Sequence, residues 1–246
     1  MMLAEVNYMP MLSTSQINTI PTSKFPPPQK AIRLTCEVVL VWTAALTLIY
    51  VGSTYLNGRG DWLFTPAVLI ILALMPARLR KIKLTEIGFN FGHLKSALLL
   101  TLVVSLIIFP VTVIGLLILR HFNMAAPWAP QIPSGSWLNW VFYQVMYLAV
   151  AEEIFFRGYL QSTIQQIFLA TSSKYLRGST YWTIIFSAGI FALAHVLLTN
   201  NALALVTFFP GIILGWLFLR TKTVISPIIF HALANIFYAG ATCRLF

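Results

Sequence analysis

A bundle of transmembrane helices, all-α and polytopic with about seven spans, is the fold this sequence predicts, and three observations carry the reading. Of 246 residues, 59% are hydrophobic and only 9% are charged, with a mean hydropathy of +0.83, whereas a soluble domain carries about 25% charged residues. Apolar runs of about 20 residues recur, the length a helix needs to cross a bilayer; barrel strands would give alternating segments of about 10. The 16 Lys and Arg, which outnumber 6 Asp and Glu, lie outside those runs with the exception of Arg157. A soluble globular enzyme, a disordered regulator and a fibrous protein are excluded. Nucleic acid is excluded as a partner, because the bases form no aromatic-laced patch.

Residues 1–31, polar and rich in Ser, Thr and Asn up to Pro26, Pro27 and Pro28, are predicted to form a flexible cytoplasmic tail, and 32–246 one transmembrane domain. The tail lacks the charged start, short apolar stretch and cleavage site of a signal peptide, so the first span is expected to direct insertion. Seven apolar segments follow: Leu34 to Leu56, Trp62 to Pro76, Ala97 to Leu119, Trp137 to Tyr159, Tyr181 to Leu198, Ala202 to Leu219, and Val224 to Ala241. The second is short. The amphipathic stretch Leu160 to Ala170 either extends the fourth helix or forms a separate interfacial element, which would allow eight spans. On the sixth segment, Gly211 and Gly215 have the spacing that lets helices approach closely, and Pro210 is placed to kink it. Trp62, Trp128, Trp137, Trp140 and Trp182 read as interface anchors. Cys36 and Cys243 form no metal or redox spacing and are expected to be buried structural thiols. His93 and His121 are expected at solvated loop edges.

Charge sets the orientation. Lys24, Lys30 and Arg33 precede the first span; Arg78, Arg80, Lys81, Lys83 and Lys95 lie between the second and third; Lys174 and Arg177 precede the fifth; Arg220 and Lys222 follow the sixth. The opposite side holds Arg59, Arg120 and Arg244. The positive-inside rule then places the N-terminus in the cytoplasm and, with seven spans, the C-terminus outside.

Glu5, Glu37, Asp61 and Glu86 fall where water is expected to reach them. Glu152 and Glu153 sit side by side within the fourth apolar segment, where each ionised carboxylate costs at least about 2.5 kcal/mol. Glu153 and Arg157 are about one helical turn apart and can pair; Glu152, about 100° away, shares a stripe with Phe156 and Tyr159 and faces the bundle interior. His195 interrupts the fifth segment, and His231 and Asn235 present two polar groups from one face of the seventh. Taken separately, the acids could form a salt-bridged packing network and His195 could be a hydrogen-bonded packing residue. Together, three helices carry costly groups at similar depth, and a convergent polar pocket is the simpler explanation.

A carboxylate near a histidine can deprotonate water, and an imidazole with a carboxamide can stabilise the oxyanion that follows. Glu152 with His195, opposed by His231 with Asn235, fills those roles. No Ser or Cys stands in a nucleophile setting and no paired aspartates lie in the apolar segments, which leaves water as the nucleophile.

Glu-Glu-x-x-x-Arg at Glu152, Glu153 and Arg157, Phe-x-x-x-His at Phe191 and His195, and His-x-x-x-Asn at His231 and Asn235 occur in that order on successive C-terminal segments. In this the chain resembles the CPBP family, the CAAX-processing and bacteriocin-processing intramembrane endopeptidases also called Abi proteins. The resemblance covers roughly the C-terminal half. It implies a glutamate-dependent protease in which Glu152 and His195 activate water, His231 and Asn235 stabilise the oxyanion, and Glu153, Arg157 and Phe191 support them. Seven spans depart from the eight usual in the prenyl-protein branch. No cofactor is expected; zinc on Glu152, His195 and His231 is the alternative by ligand type, although the chain has no His-Glu-x-x-His. The partners implied are the lipid bilayer and a peptide or protein substrate, whose identity the sequence does not name. Two other classes fit the same residues. One is a non-catalytic binding or immunity protein. The other is a proton-coupled transporter, disfavoured by the lack of an internal repeat.

Overall fold

The computed structural model of the chain describes residues 27–56, 61–92, 94–124, 126, 136–171 and 176–246, with side chains described from Gln29 onward except at 61, 62 and 176–179. Most of the expected tail, together with Lys24, Arg59, His93, Trp128 and Lys174, lies outside the described residues, as do the side chains of Asp61, Trp62 and Arg177. Helices α1 (Pro27–Leu56), α2 (Asp61–Leu79) and α3 (Leu94–His121) lead to α4, a continuous helix over 137–171. Then come α5 (Leu176–Thr199), α6 (Phe208–Thr221) and α7 (Ile225–Leu245); short 3-10 turns occupy Leu84–Ile87 and Ala202–Thr207. No strand occurs among the described residues.

The seven apolar segments and the seven helices among the described residues correspond in order, and the protein is a multi-pass membrane protein. Among the described residues, five stretches are long and apolar enough to cross a bilayer: Gln29–Leu56, Leu94–His121, Thr180–Thr199, Ala202–Thr221 and Ile225–Leu245. The apolar part of α2, Leu63–Leu79, is shorter. Leu160 to Ala170 continues α4 without a break, so α4 is longer than a hydrocarbon core of about 30 Å requires. Helix α1 starts inside the proline triplet, at Pro27, because a proline in the first turn has no backbone hydrogen bond to lose.

Inward faces follow helical spacing. Ala31, Leu34, Val38, Val41, Ala45 and Ile49 form the buried stripe of α1, which packs on α2 and the C-terminal part of α4. On α3 the buried stripe is small, Ala97, Thr101 and Ser105, so the helix approaches α7 closely and the Thr101 and Ser226 hydroxyls hydrogen-bond at 2.6 Å. Small-residue contact of this kind drives helix association in lipid, where apolar surface alone gains little.

The outward apolar face corrects several expectations. Cys36 and Cys243 are both exposed, as residues on lipid-facing surface are. Trp137 and Trp182 stay exposed as anchors would, whereas Trp140 is buried. Glu37 is half-buried: its carboxylate lies 3.5 Å from the Arg80 guanidinium and accepts a hydrogen bond from Tyr159 Oη at 3.2 Å. Arg80 also donates to Thr163 Oγ1 at 3.1 Å, so these polar groups join α1, the end of α2 and α4.

The 84–88 turn is wedged between α4 and the start of α7. Gly88 has φ 94°, its carbonyl accepts from Val224 N at 2.9 Å, and a Cβ there would lie 2.6 Å from the Phe218 ring. A Cβ on Gly158 would lie 2.8 Å from the Ile87 carbonyl oxygen, a backbone atom. Gly158→Ala is therefore expected to destabilise the protein by about 1–3 kcal/mol through overpacking, read as a lower unfolding temperature in detergent; an unchanged temperature would show that the turn gives way freely.

Candidate active site

Helix α4 brings the first site residues inward and changes its winding as it does so. An α-helical turn, Val150–Glu153, is flanked by π-helical turns at Gln144–Ala149 and Ile154–Gln161. Such wider turns are rare and concentrate at functional sites. The Glu153–Arg157 pair survives the widening, with Nε and Oε2 3.2 Å apart and both side chains 0% exposed. Tyr159 does not stay on the Glu152 stripe as the sequence predicts. The extra residue per turn rotates it to Glu37, while Glu152, Phe155 and Phe156 face a central cavity.

Glu153 also reaches across to α7, where its Oε1 lies 2.7 Å from His231 Nδ1. His231 Nε2 lies 3.8 Å from Glu152 Oε2. Both acids therefore converge on one imidazole, and Glu153 is held at once by Arg157 and His231. Arg157 donates to the Gly211 carbonyl at 3.4 Å, and its guanidinium lies 4.6 Å from the Phe191 ring centroid, a cation–π arrangement that offsets part of the cost of burial. Phe191 also meets the Phe156 ring edge-on at 4.9 Å and lies 4.3 Å from the His195 ring and 6.1 Å from the His231 ring. It links the buried cation to both histidines.

The glycines of α6 serve this arrangement. Gly211 packs closely enough that a Cβ would lie 3.2 Å from the Ala188 Cβ. Gly215 accepts from Gln161 Nε2 at 2.9 Å. Gly211 and Gly215 thus turn successive carbonyls toward Arg157 and Gln161.

On α5, His195 Nδ1 is 3.0 Å from the Phe191 carbonyl. A carbonyl only accepts, so Nδ1 carries the proton and Nε2 holds the lone pair in the neutral ring. On α7, Asn235 Nδ2 donates to Gln144 Oε1 at 3.0 Å. Glu152, His195, His231, Asn235 and Phe191 all line one cavity of about 640 Å³ whose walls are otherwise mostly apolar, including Trp42, Phe109, Leu116 and Leu214. That volume is typical of a ligand site. Glu153 and Arg157 stand behind its wall. Among the described residues Glu152 Oε2 has no hydrogen-bond partner, and no three His, Cys, Asp or Glu side chains are grouped to hold a metal ion.

Gln144 and Gln161 escaped the sequence reading. Both are polar residues within or next to the apolar segment that carries the acids, a signal masked by the stronger one of the glutamates.

Residues 133–237 match the family model Rce1-like, type II CAAX prenyl endopeptidase. Comparisons with curated proteins and with solved structures give no significant match. The matched stretch contains all three motifs and every residue lining the cavity from α4 to α7 except Tyr238. Over residues 133–237 the chain is thus similar to Rce1-like type II CAAX prenyl endopeptidases, consistent with the CPBP resemblance of its motifs.

Proposed function

We propose that the chain is an intramembrane endopeptidase that hydrolyses a peptide bond of a membrane-associated substrate with a water activated by Glu152 and His195. The observation that carries this reading is the convergence of Glu152, His195, His231 and Asn235 on one largely apolar cavity. A water between Glu152 and His195 gives up a proton to the Glu152 carboxylate as its oxygen attacks the scissile carbonyl. The oxyanion is stabilised by His231 Nε2–H and the Asn235 amide, and the proton then passes to the leaving amine as the C–N bond breaks. Glu153 and Arg157 set the electrostatics. The apolar walls suit a substrate whose scissile bond is next to a lipid chain or an apolar segment, in keeping with the prenyl substrates in the family's name. The N-terminus is assigned to the cytoplasm by the distribution of Lys and Arg.

No metal takes part in this reading. The test uses purified protein in proteoliposomes and a quenched-fluorescent peptide ending in a prenylated CAAX sequence. Cleavage is expected to fall to background in Glu152→Gln and to stay within about twofold of its initial rate after exhaustive chelation, since a carboxylate-activated water needs no Lewis acid. Loss of cleavage on chelation, restored by zinc alone, would replace this mechanism with a metal-bound water.

A further inference from the structure

Gln144 belongs to none of the three motifs. It lies in the π-helical turn Gln144–Ala149, which packs on α7, and it is 6% exposed. A carboxamide buried among apolar side chains is costly unless hydrogen-bonded, and its Oε1 accepts from Asn235 Nδ2. That contact has a chemical consequence for the cavity. An Asn carboxamide has a donor edge and an acceptor edge, and only the donor edge favours an oxyanion. With one Nδ2 proton held by Gln144, the nitrogen is fixed in place and its second proton remains for the reacting oxygen. Turned the other way, Asn235 would present Oδ1 and repel that charge.

We propose that Gln144 is a positioning residue: it fixes the orientation of the Asn235 carboxamide so that this side chain donates into the cavity. The inference rests on the endopeptidase reading and concerns one half of its site. Gln144→Met keeps the shape and removes the acceptor; Gln144→Glu keeps an acceptor oxygen. On the prenylated CAAX peptide, Gln144→Met is expected to lower kcat about 10- to 100-fold with KM within about twofold, and Gln144→Glu to stay within about threefold of the wild-type kcat. Because Gln144 acts through Asn235, adding Gln144→Met to Asn235→Ala is expected to slow the enzyme no further.

A second measurement does not depend on turnover. In protein labelled with 15N-asparagine, the side-chain amide signal lost in Asn235→Ala identifies Asn235, and that signal is expected to shift in Gln144→Met. Additive rate losses in the double variant, or an unmoved Asn235 signal, would overturn the proposal. If Gln144→Met does not fold, a folded Gln144→Glu with kcat reduced more than tenfold would also overturn it. Failure of the endopeptidase reading looks different: the wild type would then leave the peptide intact while the Asn235 signal still responded to Gln144.

Discussion

Glu152→Gln is expected to lower the rate of peptide cleavage by about 10²–10⁴-fold, the range over which a positioned general base contributes, while leaving the unfolding temperature within about 2 °C of wild type. The separation follows from the position of the carboxylate. Glu152 lines the cavity, its Oε2 has no hydrogen-bond partner among the described residues, and its approach to His231 Nε2 is long, at 3.8 Å. Glutamine keeps the shape and loses only the basicity. Parallel unfolding and cleavage measurements on the purified variant check both halves. A variant that melts early would make Glu152 part of the packing network instead.

Glu153 should behave in the opposite way. It is fully buried between Arg157 and His231, so Glu153→Ala strands a guanidinium inside the bundle and is expected to destabilise the protein by about 3–5 kcal/mol. The comparison that isolates charge from packing is Glu153→Met with Arg157→Met. Removing both partners leaves no uncompensated ion, and the double variant is expected to unfold at a higher temperature than Glu153→Ala, because a buried pair replaced by apolar residues of similar volume is often neutral in stability. Both variants should lack activity, since His231 Nδ1 loses its carboxylate. Equal destabilisation of the two would show that shape rather than charge dominates this region.

The helices were legible from the length of the apolar runs, and the polar residues that line the cavity from a related contrast: in a membrane, costly polar side chains stand out against an apolar background and are seldom placed without a partner. Glu152, His195, His231 and Asn235 declare themselves in this way. What stayed hidden depends on winding and on facing. At about 100° per residue Tyr159 falls beside Glu152, and the π-helical turn Ile154–Gln161 undoes that phase. Nothing in the residues Ile-Phe-Phe-Arg announces an extra residue per turn. Likewise, apolarity cannot distinguish a lipid-facing from an inward-facing surface, so Cys36 and Cys243 were expected inside and lie on the exposed face. Nearness to a helix end places Glu37 in water by sequence, yet Arg80 and Tyr159, distant in the chain, close on it. Gln144 carries no charge and so raised no alarm, although its bond to Asn235 is among the few polar contacts at the cavity.

The most direct test of the central claim is to compare membranes from cells expressing the wild type with membranes expressing Glu152→Gln at matched levels, mapping new protein termini quantitatively. Termini present only with the wild type, next to apolar or lipid-modified segments, are the predicted result and would also identify the substrate. An identical set of termini in the two membranes, with any biological effect of the protein intact in the variant, would contradict the claim and make this chain a binding protein.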